Sequence, residues 1–321
     1  MFRNLTIFAL LLALLVVVLG AYVRLSDAGL GCPDWPGCYG SLILDESHEG
    51  LAHAAENYER PVEPAKAWKE MIHRYFASTL GLVILILTFM AWRRPELGQK
   101  ALATSLSVLV MFQGALGMWT VTLLVKPIIV MSHLLGGLAT LSLLLLLLLR
   151  INKKRLPADS RKAGIATLAT ISLIVLVLQI ALGGWTSTNY AALACPAFPT
   201  CFGESWNPNV DYQEGFVLWR GLGVDYEFGV LSNEARAAIH WVHRIGALIT
   251  TLVLMVLAIR LLRLRALKEA LLLTSLLSTQ VVLGILNVML DLPLHVAVAH
   301  NGIAAVLLLS MVYIKFRLNE N

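Results

Sequence analysis

Eight stretches of this chain are apolar over about 20 residues each, and a chain of that kind has very few folds open to it. They lie near 5 to 23, 72 to 91, 103 to 124, 128 to 149, 164 to 186, 238 to 259, 270 to 290 and 294 to 314. A helical run of roughly 20 residues crosses the ~30 Å hydrocarbon layer. No water in that layer can satisfy a bare backbone N–H or C=O, so a spanning segment has to close its hydrogen bonds internally. Charged residues are 14% of the chain, against about 25% in soluble domains. The expected fold class is therefore an all-α integral membrane protein with eight transmembrane helices.

The runs fall as four and four because the chain repeats itself. GAYVRLSDAGLGCPDWPGC (20 to 38) aligns with GGWTSTNYAALACPAFPTC (183 to 201), IHRYFASTLG (72 to 81) with VHRIGALITT (242 to 251), and QGALGMWTV (113 to 121) with QVVLGILNV (280 to 288). His73 maps to His243 at an offset of 170 and His133 to His300 at 167. A long-period repeat signals duplicated structural units. The expectation is two pseudo-symmetric four-helix bundles, residues 1–150 and 151–321. The first apolar run follows Arg3 as a signal peptide would. Its repeat partner is internal, however, so it reads as a retained helix.

The net charge of +5 does not point to nucleic acid, because 16 of the 25 Lys and Arg residues gather at one end of the helices. They include Arg3, the pair Arg93 and Arg94, the run from Arg150 to Lys162, the run from Arg260 to Lys268, and Lys315 and Arg317. By the positive-inside rule both termini are cytoplasmic. The long polar segments 24 to 71 and 187 to 237, with extracytoplasmic tight turns at Val125 to Pro127 and Asp291 to Pro293, then face outward from a bacterial plasma membrane, or from the mitochondrial inner membrane in a eukaryote. All four cysteines are on that side, in two copies of CPxxPxC. An oxidising compartment favours the disulfides Cys32–Cys38 and Cys195–Cys201, with redox-active thiols and metal ligation as alternatives.

Ionisable groups inside a membrane are costly and mark function by default. His73 and His243 begin the second and sixth apolar runs, and His133 and His300 lie one to two turns into the fourth and eighth. All four come out near the outer boundary of the apolar layer. Facing imidazoles on two helices could hold one planar macrocycle, so two bis-histidine haem sites are expected. Zinc wants four close ligands, whereas these histidines are 60 and 57 residues apart in their halves; the HxxH of His240 and His243 keeps zinc as a minor alternative. Arg74 and Arg244, each following a histidine, are candidates for pairing with haem propionates. The QxxLG runs beginning at Gln113, Gln179 and Gln280, with Leu19 and Gly20 in the first helix, supply small residues for close helix approach or for a flat ligand. The halves differ at one acid: Glu70, one turn outward from His73, has His240 as its counterpart.

These residues resemble the haem A synthase family over essentially the whole chain. The resemblance rests on the duplicated eight-helix layout, the GAYVRLSDAGLGCPDWPGC stretch, ExxHR from Glu70 to Arg74, HxxHR from His240 to Arg244, and His133 and His300. It implies a permanent haem b held by His243 and His300. It also implies a substrate pocket for haem O marked by His73 and His133, with Glu70 in catalysis and His240 beside the cofactor site. The implied reaction oxidises a haem methyl to a formyl through hydroxylated intermediates, with water supplying the oxygen, to make haem A for terminal oxidases. Such chemistry needs an electron-transfer partner, which the sequence does not identify. Haem O synthase is a candidate neighbour, membrane lipid surrounds the chain, and a homo-oligomer is compatible with its apolar surfaces.

Two other readings use the same histidines. A cytochrome b type electron carrier would place its two haems at opposite faces of the membrane. A haem transporter or chaperone would not require an ExxH in one half alone. His48 and His53 fall in a polar outer segment and read as solvated, and His295 has Ile128 as its counterpart, so it is not a duplicated ligand.

Overall fold

The structure, a computed structural model, describes residues 1–58, 60–152, 162–203, 206 and 208–318. Four of the basic residues counted above, Lys153, Lys154, Arg155 and Arg161, lie outside the described residues. The long helices are α1 (Phe2–Leu25), α3 (Pro64–Arg93), α4 (Lys100–Thr122), α5 (Pro127–Asn152), α6 (Lys162–Thr188), α8 (Asn233–Arg263), α9 (Leu267–Met289) and α10 (Leu294–Leu318). All eight are long and apolar enough to cross a membrane. Two short helices, α2 (His48–Asn57) and α7 (Tyr212–Gly215), lie in the long connections, and no strand occurs among the described residues. The protein is thus an all-helical, multi-pass membrane protein.

Helix starts follow from local chemistry. Pro64 and Pro127 open α3 and α5, where a missing N–H costs nothing. Ser232 caps α8 by accepting from the Ala235 N–H, with Glu234 in the first turn. The turns after α4 and α9 are made by consecutive left-handed residues, Leu124 and Val125 in one and Asp291 and Leu292 in the other. These sequences thus form the tight turns expected of them.

Several boundaries depart from the sequence reading. The apolar run at 72 marks where α3 enters the apolar layer, but the helix itself begins at Pro64, so His73 sits nine residues inside it. His243 likewise sits ten residues inside α8. Hydropathy finds the span and misses the helical extension beyond it, because helices continue into polar surroundings wherever capping permits. His48 and His53 are on α2, exposed, instead of in irregular loop; Ser47 caps that helix by accepting from the Gly50 N–H at 3.0 Å.

In the first half α1 and α4 each pack against both α3 and α5. In the second half α6 and α9 each pack against both α8 and α10. The order of neighbours is therefore the same in both, with α3 opposite α5 and α8 opposite α10. The halves meet through α1 on α10, α5 on α10 and α5 on α6.

Each ring is filled with leucine at the end away from the disulfides. Leu141, Leu144 and Leu147 of α5 and Leu254, Leu257 and Leu261 of α8 have no exposed surface. Their neighbours Leu82, Leu85 and Phe89, and Leu248, Leu252 and Met255, point outward and are exposed, as lipid-facing side chains are. Lipid is as apolar as these residues, so the hydrophobic effect does not join the helices; close packing does. At the other end the buried apolar residues form four smaller clusters, and that is the end where the histidines sit.

The connection between α6 and α8 also grips the first half. Lys126, 2% exposed, donates from Nζ to the carbonyls of Arg220 (2.5 Å) and Gly221 (2.9 Å) and lies 3.6 Å from the Trp219 ring centroid. Arg60 pairs with Glu227 at 2.7 Å and with Asp225, and Tyr226 N–H donates to Leu124 O at 3.2 Å. Lys126→Met removes the charge-assisted bonds while keeping the apolar stem. It is expected to leave the eight-helix body folded and to make the 216–224 segment cleavable. Limited proteolysis of the detergent-solubilised protein, mapped by mass spectrometry, checks this; an unchanged cleavage pattern would show that the clamp is not what holds the segment.

Candidate functional site

The four histidines occupy one repeated setting. Each projects from α3, α5, α8 or α10 onto a glycine of the neighbouring helix in its ring. A Cβ placed on Gly20 would lie 3.0 Å from His73 Cε1; on Gly117, 3.5 Å from His133 Cε1; on Gly183, 3.2 Å from His243 Cε1; and on Gly284, 3.1 Å from His300 Cε1. The glycines of the LG repeats are therefore seats for imidazole rings. At three of the four a side chain would press on the ring, while at Gly117 a methyl would make an ordinary contact.

Because α3 lies opposite α5 and α8 opposite α10, each half brings its two imidazoles toward one another across the ring diagonal. Such a pair, seated on glycine and half-buried, is a donor set of the kind that would hold a haem iron. The Nδ1 atoms of His73 and His133 are enclosed with no hydrogen-bond partner among the described residues, which fits rings awaiting a ligand that fixes them. No three His, Cys, Asp or Glu residues converge as a metal cluster among the described residues.

Both CPxxPxC loops close as disulfides, Cys32–Cys38 with a Cα–Cα distance of 4.8 Å and Cys195–Cys201 with 4.3 Å. Each loop docks on the outer turns of the histidine-bearing helix. Gly31 lies so close to α3 that a Cβ there would be 2.6 Å from the Lys66 carbonyl carbon, so only glycine fits. The sulfurs approach Ala67 O at 3.8 Å and Ala237 O at 3.7 Å.

Glu70 and His240 are the anchors of these loops. Glu70 accepts the Cys32 N–H at 2.9 Å on Oε2 and Arg74 at 2.5 Å on Oε1. His240 meets the Cys195 N–H at 3.2 Å with Nδ1 and Arg244 Nε at 3.2 Å with Nε2. The arginines finish the docking. Arg74 donates to the carbonyls of Asp34, Pro36 and Gly37, and Arg244 to those of Cys195, Ala197 and Thr200. The candidate propionate contacts Arg74 and Arg244 are thus engaged with loop carbonyls, and the candidate acid Glu70 is tied to both the loop and its arginine.

The two anchors are not chemically equal. A carboxylate has lone pairs for both donors, whereas a neutral imidazole has an acceptor on one nitrogen only. One of the two donors at His240 is therefore poorly served.

The sequence reading missed what the glutamines do. Gln179 Nε2 lies 3.0 Å from His243 Nδ1 and 3.0 Å from His243 O, and Gln280 Nε2 lies 3.3 Å from Nδ1 and 3.2 Å from Nε2 of His300. The spacing of QxxLG held the signal, since a residue one turn before a seating glycine faces the same neighbour. His295 is exposed on α10, away from both pairs, in an open apolar groove with Val18 and Tyr22 of α1.

Fold and site together define a polytopic helical membrane protein with two paired-imidazole sites beneath disulfide-closed loops. Residues 3–312 match the family described as cytochrome oxidase assembly protein, COX15-CtaA. The chain is 52% identical over 310 residues to a protein of Shewanella oneidensis named heme A synthase, covering 96% of this chain and 93% of that one. Proteins of the same name from Halalkalibacterium halodurans (29% identical, 100% and 99% covered) and Rhizorhabdus wittichii (27%, 95% and 91%) are also similar. The chain belongs to the COX15-CtaA family.

The anchor comparison yields a prediction. His240→Glu supplies the second acceptor and is expected to raise thermal stability, whereas His240→Leu also strands the donor that the imidazole does serve and lowers it by about 1–3 kcal/mol. Thermal unfolding of the detergent-solubilised variants measures both. Equal shifts in the same direction would mean that the hydrogen bonds at His240 do not hold the loop.

Proposed function

We propose that this protein is a haem A synthase: it binds haem O as substrate and oxidises one methyl group to a formyl group, with water supplying the oxygen. The observation that carries the reading is the pair of matched imidazole sites, each seated on glycine across a ring diagonal, in a chain of this family. His73 and His133 are the substrate-side ligands, and His243 and His300 hold a haem b cofactor. When bound, haem b supplies one-electron exchange.

The chain's own residues do the rest. Glycine seats set the imidazole positions, and the leucine-filled end of each ring closes the site from below. The docked disulfide loops cover the outer side and restrict water to the path a reacting molecule needs. Glu70 is the proposed catalytic acid. It stands one turn from His73 in the substrate half, where the cofactor half has a neutral group. Its links to Arg74 and the Cys32 N–H hold the carboxyl at the edge of the pocket, where it can relay a proton. His240, in turn, keeps the cofactor half free of a carboxylate.

The oxidation releases electrons, which an acceptor protein of unassigned identity removes. Haem O synthase is the proposed source of substrate. The basic residues of the disulfide-free end support a cytoplasmic placement of both termini, and the disulfides support an oxidising compartment outside, as for a bacterial plasma membrane.

Pigments extracted from cells that express this chain and make haem O are expected to contain formylated haem; unchanged haem O would overturn the reading. Glu70→Gln is expected to keep the haem b spectrum and to lower haem A formation at least ~10²-fold, the lower range for losing an acid–base group. Wild-type output from that variant would remove Glu70 from the chemistry. His243→Ala and His300→Ala are expected to purify without resident haem, and loss of resident haem from His73→Ala instead would exchange the roles of the halves.

A further inference from the structure

Of the contacts between the halves, α1 on α10 and α6 on α5 are equivalent by the repeat. Only the second is sealed at the disulfide end. There Trp185 and Ile239 are buried, and Ile128, Met131 and Phe216 pack against them. A Cβ on Gly184 of α6 would lie 3.4 Å from Met131 Cγ, so that side chain fills the space between the two helices. The Trp185 Nε1–H donates to Gly215 O at 2.9 Å, which sets α7 over the plug.

At the α1–α10 seam the repeat puts Tyr22 in place of Trp185, Lys69 in place of Ile239, His295 in place of Ile128 and Val298 in place of Met131. One turn further along α10, Gly302 stands where the other seam has Leu135. The result is an open groove of about 610 Å³, apolar along Val18, Val298, Gly302 and Ile303, with Tyr22 and His295 at its outer end. Lys69 Nζ lies 5.4 Å from the Tyr22 ring centroid and so stands at the same rim. Among the described residues Lys69 makes no ion pair, and neither the Tyr22 hydroxyl nor the His295 ring makes a hydrogen bond.

Three groups able to donate, one of them carrying a full positive charge, thus replace three apolar side chains at the mouth of an apolar groove. The groove opens on hydrocarbon, so an alkyl chain fits it. The ammonium at its mouth has no acid of the protein to pair with, so an anion fits there, held by charge-assisted bonds. A phospholipid with a net negative headgroup carries both parts, and basic pockets between transmembrane helices suit such headgroups. A zwitterionic headgroup brings its own cation toward Lys69 and gains less.

We propose that the α1–α10 seam is a binding site for one anionic phospholipid, with its phosphate on Lys69, Tyr22 and His295 and one acyl chain along Val18, Val298, Gly302 and Ile303. The lipid completes the packing between the halves, as Trp185, Ile239 and Met131 do at the other seam. The site is independent of what the imidazole pairs hold.

The test is native mass spectrometry of the full-length protein released from micelles that contain equal amounts of phosphatidylglycerol and phosphatidylcholine with the same acyl chains. The unaltered protein is expected to retain one phosphatidylglycerol in about tenfold preference, the scale of one hydrogen bond to a charged group. Its thermal unfolding is expected to move upward with added phosphatidylglycerol and not with phosphatidylcholine. Lys69→Gln is expected to abolish the preference and Lys69→Arg to keep it. Gly302→Leu supplies the residue of the sealed seam, at a position where a Cβ meets Val18 Cγ2 at an ordinary 3.6 Å. It is expected to remain folded by circular dichroism, to retain neither lipid, and to unfold at a temperature that phosphatidylglycerol no longer moves. If that variant does not fold, the two Lys69 variants still decide. Equal retention of both lipids by the unaltered protein overturns the proposal, as does a phosphatidylglycerol preference that survives Lys69→Gln. Displacement of the lipid by an equimolar porphyrin dicarboxylate overturns it too, since the seam would then be a porphyrin site.

Discussion

The contact between imidazole and glycine is the constraint around which both halves are arranged. Two helices can approach closely in lipid only where side chains are small, since no hydrophobic pressure forces them together. Gly20, Gly117, Gly183 and Gly284 open that space, and the ring of the neighbouring histidine takes it. One contact thus sets the helix spacing and the orientation of a ligand-ready side chain. The order of neighbours sets α3 opposite α5 and α8 opposite α10, so the two histidine-bearing helices of each half face across its ring. The leucine cores at the other end fix the helices in that arrangement.

The outer loops depend on the same helices. Glu70 and His240 stand at equivalent positions, and each meets a cysteine N–H and the arginine one turn further on. A loop that has to cover a ligand site needs an anchor at its cysteine, and a disulfide by itself fixes only the loop's own ends. The carboxylate does this fully and forms an ion pair with Arg74. The imidazole does it incompletely and offers Arg244 no opposite charge. A single residue difference therefore alters loop anchoring and local electrostatics together, so the loop bond and the ion pair of Glu70 are two consequences of one placement.

Much of this was legible in the sequence, for identifiable reasons. Hydropathy located all eight spans because lipid enforces it, and the repeat paired His73 with His243 and His133 with His300 because duplicated packing preserves register. The CPxxPxC pairs formed the disulfides that their spacing and compartment implied. What escaped were interactions that need the third dimension. Arg74 and Arg244 looked free to meet a ligand, yet loop carbonyls distant in sequence satisfy them. Helix starts at Pro64 and Asn233 lie outside the apolar layer, where hydropathy carries no signal. The glutamines were visible as a motif, but their target histidines lie on other helices, 64 residues away for Gln179 and 20 for Gln280.

Duplication and divergence then account for how one scaffold could serve a fixed cofactor and a passing substrate. The glycine seats, which place the rings, are the same in both halves, because moving a ring would destroy either site. The groups beside the rings differ between the halves. Gln179 over Gly246 becomes Val16 beside Phe76, and His240 becomes Glu70. Both differences lie one turn from a histidine, and both leave the backbone path of the bundle unchanged. Side-chain chemistry beside the histidines is separated from architecture in this way, since the two halves keep the same order of neighbours and pack against one another through α1, α5, α6 and α10.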